Sequence, residues 1–341
     1  MTKRSKRFLI LGIILVFLLA GWIFLRLVYL AYQEKNANLP NQFGVSFSDK
    51  YARELGLDPR ETYTKLLNDL GVRKFRLMSY WNEIEPTKNQ YDFSNLDWQI
   101  QQANLVGAKV SLAIGLRQPR YPECHYPAWT NNLDYQEQLQ ALYAYLTAVV
   151  ERYKGNSAIS SWQLENEGLN HGFGTCRDFS RSRISAEYDL VKRLDSAHPI
   201  IMNVSDEVGL PVRGPRGDEV GLSVYKRFHE SKFCNCYLSY PMPAWWHGLR
   251  AALIDYFWHK PVIIHELQAE PWGPAATVQL SSEEQTKTMD ATKLQAIVNY
   301  ARRTNIRETY LWGGEWWYWR KIKFNDDSAW QVAKQIFTAD H

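Results

Sequence analysis

The side chains best suited to acid–base work in this 341-residue chain stand at the ends of short apolar runs. The run 159–164 ends in Glu165, Asn166 and Glu167, followed by Gly168. The run 261–265 ends in His265 and leads into Glu266, with Glu270 further out. Short continuous apolar runs of this kind read as strands buried on both faces, which deliver their last polar residues to a rim. Two carboxyl groups meeting over one pocket can divide the work, one protonating a leaving oxygen while the other attacks or activates water. Glu167 and Glu266 are the candidate pair, with Glu165 and Glu270 as their neighbours and rivals. The plainer reading of any one of them is a solvated loop acid.

Other runs deliver further groups to the same rim. The run 74–78 carries Arg76 and is followed by Tyr80, Trp81 and Glu85-Pro86. The run 220–225 ends in Tyr225, and 309–312 ends in Trp312, with Glu315, Trp316 and Trp317 beyond. The chain has 14 Trp and 20 Tyr, which suits a groove that stacks on sugar faces, since flat rings present large apolar area at low entropy cost. The same rings also serve as core. His125, His171 and His265 lie near the rim, and lone histidines are ordinarily hydrogen-bonded structure. No metal and no cofactor is assigned.

To position these residues the chain must alternate strands and helices. Asp58 and Pro59 read as N-cap and N1 of a helix that carries Leu66, Leu67 and Leu70 and stops at Gly71. Further helices are expected at 95–106, 135–153, 183–196, 244–258, from the Ser281-Ser282-Glu283-Glu284 capping signal to 303, and at 328–337. Strands are expected at 43–47, 74–78, 109–114, 159–164, 199–204, 220–225, 261–265 and 309–312. A Gly- and Pro-rich segment at 210–217 stands where a fifth helix would be. Eight apolar runs with mostly helical connections predict a (β/α)8 TIM barrel over 43–341, and a doubly wound sheet is the rival. In a barrel the active groups gather at the carboxyl ends of the strands.

The amino terminus reads differently. Lys3, Arg4, Lys6 and Arg7 precede an uncharged run from Phe8 to Leu25, and Trp22, Arg26, Tyr29 and Tyr32 suit an interface. At roughly 1.5 Å per residue this run approaches the thickness of a bilayer core. Residues 1–33 are therefore expected to be a basic cytoplasmic flank and a transmembrane anchor, with 34–42 as a linker. A cleaved signal peptide is the rival, but it has a shorter apolar core and a small-residue cleavage site, which is not evident here. The positive-inside rule places the barrel on the extracytoplasmic side of the cell membrane, single-pass. The net charge of +4 is accounted for by the four basic residues of the flank, and no nucleic-acid footprint remains. An exported compartment permits disulfides among Cys124, Cys176, Cys234 and Cys236. Three pairings are possible. Cys124 with Cys176 is favoured because both fall in neighbouring loops on one face, and Cys234-Asn-Cys236 is also spaced as a metal pair, without histidines to complete it.

The spacing from Trp162 to Asn166-Glu167 resembles the fourth strand of clan A glycoside hydrolases, which are retaining (β/α)8 enzymes. The run from Arg76 through Trp81 to Glu85-Pro86, then Tyr91-Asp92-Phe93, looks like the second strand and loop of clan members that act on β-linked glycans. The resemblance is a pattern of scattered residues over 43–320. It implies Glu167 as acid/base and Glu266 as nucleophile, with Asn166 on the sugar hydroxyl next to the reacting carbon. It implies that Arg76 supports the charge of Glu266 through a charge-assisted hydrogen bond, that Tyr225 donates to Glu266, that Trp81 is a substrate contact, and that Trp312 floors the sugar subsite, with Trp316 or Trp317 as substitute. The expected partner is an oligosaccharide or polysaccharide. A silent glycan-binding barrel and a transglycosidase are the alternatives.

Overall fold

The computed structural model describes residues 3–204, 209–210 and 216–339. Eight parallel strands close into a barrel: β1 (Gln42–Ser46), β2 (Lys74–Met78), β3 (Lys109–Ile114), β4 (Ile159–Leu164), β5 (Ile200–Val204), β6 (Glu219–Val224), β9 (Val262–Gln268) and β10 (Glu308–Trp312). An antiparallel hairpin, β7 (Arg227–Glu230) with β8 (Cys236–Ser239), is inserted after β6. β1 pairs with both β2 and β10, which closes the ring and excludes the doubly wound sheet.

Local signals place the helices. Asp58 caps Pro59–Asn68 by accepting from the Glu61 amide, and Asp134 with Glu137 forms a capping box on Tyr135–Tyr153. The expected helix from 282 to 303 is two, Ser282–Thr288 and Ala291–Arg302. Met289 is extended and Asp290 starts afresh by capping the Lys293 amide. A helix not expected from the sequence, Gly314–Phe324, follows β10. Most of the segment expected to replace a fifth helix, 210–217, lies outside the described residues.

Side-chain alternation sorts the strands into two layers. Phe75 and Leu77 of β2, Leu112 of β3, Trp162 and Leu164 of β4 and Leu222 of β6 pack into the shell between barrel and helices. The alternate residues Arg76, Ser111, Gln163, Asn203 and Ser223 are buried and polar, so the upper barrel interior is a polar layer. β9 breaks this alternation. Leu222 and Ser223 of β6 pair with Ile264 and Glu266, leaving His265 as an extra residue. The bulge lets His265 and Glu266 both reach the interior.

Helix Lys3–Asn36 is long and apolar enough to cross a membrane. Its last turns are docked on the barrel: Val28, Tyr29 and Tyr32 are buried, Lys35 pairs with Asp255 at 2.8 Å, and Arg307 Nε donates to the Asn36 carbonyl at 2.9 Å. The stretch 34–42 is thus a helix end and a short turn leading straight into β1. Disulfides join Cys124 to Cys176 and Cys234 to Cys236.

Candidate active site

Glu266 sits in β9, buried, between two donors. Arg76 Nη1 donates to its Oε1 at 2.7 Å and the Tyr225 hydroxyl to its Oε2 at 2.8 Å. Arg76 is itself fixed: Nε donates to Gln163 Oε1 at 2.6 Å and Nη2 to Asn166 Oδ1 at 2.8 Å. A buried guanidinium with every arm engaged can hold one carboxylate orientation. Below it the His265 ring bridges Asn203 Oδ1 at 3.0 Å and Ser111 Oγ at 3.2 Å. Burial, then Arg76, hold that imidazole well below its usual range, so it is neutral structure.

Glu167 reaches the same place from the loop after β4. Glu165 and Glu167 both adopt left-handed φ, +54° and +48°. These uncommon conformations turn the two acids apart. Glu165 swings back to accept from the Leu116 amide at 2.6 Å and the Arg117 amide at 3.1 Å, and pairs with Arg183 at 3.0 Å. Gly115 makes room for it, since a Cβ there would lie 2.5 Å from Glu165 Oε1. Glu165 is therefore consumed in structure. Glu167 points into the mouth, where Ser223 Oγ donates to Oε1 at 2.9 Å and Asn170 Nδ2 to Oε2 at 2.9 Å. Ser223 and Tyr225 stand two positions apart on one edge of the mouth, so one short segment carries a donor to each carboxyl. Burial, and then the negative charge of Glu266, push Glu167 up to about 7.

Asn166 is the hinge between them: its Oδ1 accepts from Arg76, from Gln163 at 3.1 Å and from Asn203 at 3.3 Å. Its Nδ2 donates to Glu123 Oε2 at 2.9 Å. Glu123 was not among the expected site residues. Burial, then the charge of Glu167, push it up to about 8, against the Arg117 guanidinium 3.4 Å away. The disulfide at the adjacent Cys124 ties its loop to the loop after β4. The favoured Cys124–Cys176 pairing was the one signal that could have placed it.

Glu270 is not in reach of this pair; Arg120 binds it through both guanidinium nitrogens and also approaches Glu315 at 3.6 Å. The Arg120 guanidinium is sandwiched, 3.6 Å from the Tyr51 ring and 4.0 Å from the Trp312 ring. Trp312 thus stands at the mouth with Met78, Tyr80 and Ala113, carrying a cation on one face.

Two expected substrate contacts are corrected. Trp81 is wholly buried, donates Nε1 to Glu85 at 2.8 Å and stacks on Tyr145. It lines a cavity of about 230 Å³ with Leu142 and Arg183, behind the barrel, that touches neither Glu167 nor Glu266. Trp316 is buried in the helix after β10, with Nε1 on Gln285 at 2.9 Å. Both follow strand ends, where the turn, not the strand period, sets direction, and both were turned into the core. Among the described residues no group of three or more His, Cys, Asp or Glu is placed to hold a metal ion.

Comparison with known proteins agrees with this architecture. No family model matches the chain. It is 27% identical over 250 residues to the β-galactosidase LacZ of Lactobacillus acidophilus, covering 58% of this chain and 37% of that one. The chain spans well under half the length of that curated relative. Among solved structures it is similar to a GH5_18 protein from Streptomyces cattleya in complex with GlcNAc, with a TM-score of 0.55, 14% identity, and 80% and 70% of the two chains covered. It is also similar to xylanase 10B from Thermotoga petrophila in complex with xylobiose, with a TM-score of 0.54, 13% identity, and 83% and 84% covered. At these identities the solved structures show a shared fold, the (β/α)8 barrel.

Proposed function

We propose that the protein is a retaining glycoside hydrolase acting on a β-linked glycan, with Glu167 as acid/base and Glu266 as nucleophile. The observation that carries this reading is the unequal setting of two carboxyls over one mouth. Glu266 faces a guanidinium and a phenol, which stabilise its negative charge. Glu167 faces a hydroxyl and an amide, and burial, then the neighbouring charge, keep a proton on it to near neutrality.

The roles follow from that division. Glu266 attacks the anomeric carbon, and Glu167 passes its proton to the departing oxygen. Glu167, now ionised, takes a proton from water as that water releases the sugar from Glu266. Asn166 would hold the hydroxyl beside the reacting carbon, with its carbonyl oxygen already committed to Arg76. Trp312 would floor the subsite. The β-galactosidase and xylanase likenesses support a β-linked substrate. The basic residues before the apolar helix support an extracytoplasmic barrel anchored in the membrane.

The test is hydrolysis of aryl β-glycosides by the full chain in detergent. Glu167→Gln and Glu266→Gln are each expected to lower kcat/KM by about 10²-fold or more. Azide is expected to restore turnover of Glu266→Ala and to give a product of inverted anomeric configuration. Undiminished turnover in both Gln variants would overturn the assignment. Tight binding of an oligosaccharide by the unaltered protein without any turnover would show a glycan-binding barrel instead.

A further inference from the structure

Outside the mouth, the least explained feature is an aromatic corner. Helix Ala244–Trp258 ends in Tyr256, Phe257 and Trp258, and two of these rings lie open, Tyr256 at 51% and Phe257 at 55% exposure. Phe24 of the N-terminal helix packs edge-on against Tyr256, with centroids 5.4 Å apart, and tilted against Phe257 at 6.1 Å. Phe24 belongs to the uncharged run that ends just before Arg26. Two barrel rings therefore stand level with the end of the apolar segment, roughly 3 Å to the apolar side of Arg26 at 1.5 Å of rise per residue. Exposed Trp22 lies on the same helix nearby, while His259 and Lys260 follow the corner in the chain.

Aromatic rings at the end of an apolar span, beside Arg26, are the composition of an interfacial layer. The barrel is not free to swing away from it. Tyr29 and Tyr32 are buried against the barrel, Gly248 is so close to Tyr29 that a Cβ there would lie 2.9 Å from its ring, and Lys35 pairs with Asp255 one residue before Tyr256.

Resting on the reading that helix Lys3–Asn36 crosses a bilayer, we propose that Tyr256 and Phe257 lie in the interfacial layer of that same bilayer. The occupant of this apolar corner is lipid, and the barrel is attached at two points. The orientation follows. The corner precedes the start of β9, and Arg307, which holds Asn36, precedes β10. Lipid therefore faces the amino ends of the strands. Glu167 and Glu266 sit at the other end. The four steps of β9 from Val262 to Glu266, at roughly 3.3 Å each, set the pair about 13 Å along the strand from its lipid-facing end, and the mouth opens away from the lipid. The substrate that such a mouth can take is a glycan lying off the membrane, not the headgroup of a glycolipid in the same leaflet.

The test uses the full chain in phosphatidylcholine–phosphatidylglycerol nanodiscs containing nitroxide-labelled acyl chains. A fluorophore is attached to Phe257→Cys, to Val278→Cys in the loop after β9, or to Leu15→Cys in the apolar run. Lipid nitroxide is expected to quench the label at 257 several-fold more than the label at 278, and aqueous iodide to do the reverse. Quenching of 257 by iodide alone, with 15 still quenched by lipid, would overturn the proposal while leaving the anchor. Absence of lipid quenching at 15 would remove the anchor and the proposal with it. A label at 257 shielded from both quenchers would show a second copy on the corner and would also overturn it. Aryl glycoside turnover in the same discs reports on the catalytic reading separately.

Discussion

At β9, Glu266 meets a guanidinium with every arm engaged; at the end of β4, Glu167 meets a serine hydroxyl and an asparagine amide. The residue type is the same, and the short segment Ser223 to Tyr225 supplies one neutral donor to each. The difference lies in what each donor carries. A cation at 2.7 Å compensates a charge. Neutral donors do not, so burial and the charge opposite leave Glu167 holding its proton up to about 7. Partners alone can thus set two like carboxyls in unlike electrostatic surroundings, and the comparison can be broken from either side.

The largest effect is expected from Arg76→Met. It strips Glu266 of its cation and leaves a buried carboxylate, at a cost of about 3–5 kcal/mol in stability. Denaturant unfolding should show that loss, and kcat/KM should fall more than a hundredfold. Arg76→Lys should restore stability in part and activity little, because a point charge cannot serve Glu266, Gln163 and Asn166 together. Next in size is pH. If Glu167 must enter the reaction protonated, kcat/KM falls as pH rises through about 7. A ¹³C titration of Glu167 in Glu266→Gln should give a lower value, since the opposing charge is gone and burial alone remains. Stability should move in the same direction. Glu123, about 8, and Glu315, about 7, are raised chiefly by burial. The folded chain then binds more protons than the unfolded chain between the usual carboxyl range and pH 8. Its stability therefore falls as pH rises across that window. A Tm higher at pH 8.5 than at pH 5.5 would contradict this.

What could be read from the sequence was what is decided locally. The runs at 74–78, 109–114 and 159–164 became β2, β3 and β4 with unchanged bounds, and Asp58-Pro59 opened its helix, because apolar continuity and capping chemistry act over a few residues. The bulge in β9 could not be read: strict alternation would send His265 and Glu266 to opposite faces, and only pairing with β6 shows both turned inward. The helix Gly314–Phe324 was missed because Gly314 through Arg320 are all buried and no polar face marks a helical period. Glu123 sits in a Pro-rich loop with no apolar run to announce it, and its role arises only where that loop meets Asn166. Trp81 and Trp316 show the converse error: aromatic type suggested a sugar platform, and tertiary packing gave each an internal acceptor instead.

The finest test of the comparison uses two small substitutions on one edge of the mouth. Tyr225→Phe removes a neutral hydrogen bond from Glu266 while leaving Arg76 in place, so the loss should be near the worth of one such bond, about 1 kcal/mol or several-fold in kcat/KM. The pH at which activity falls should not move, because Glu167 is untouched. Ser223→Ala removes a hydroxyl that favours the ionised form of Glu167. Without it the proton is held more firmly, so the basic limb should shift to higher pH, by roughly one unit or less. If Ser223→Ala lowered the rate at every pH and left the limb in place, Glu167 would not be the group whose proton the reaction needs. Two hydroxyls two residues apart would then report on a single carboxyl, and the division of roles between Glu167 and Glu266 would fail.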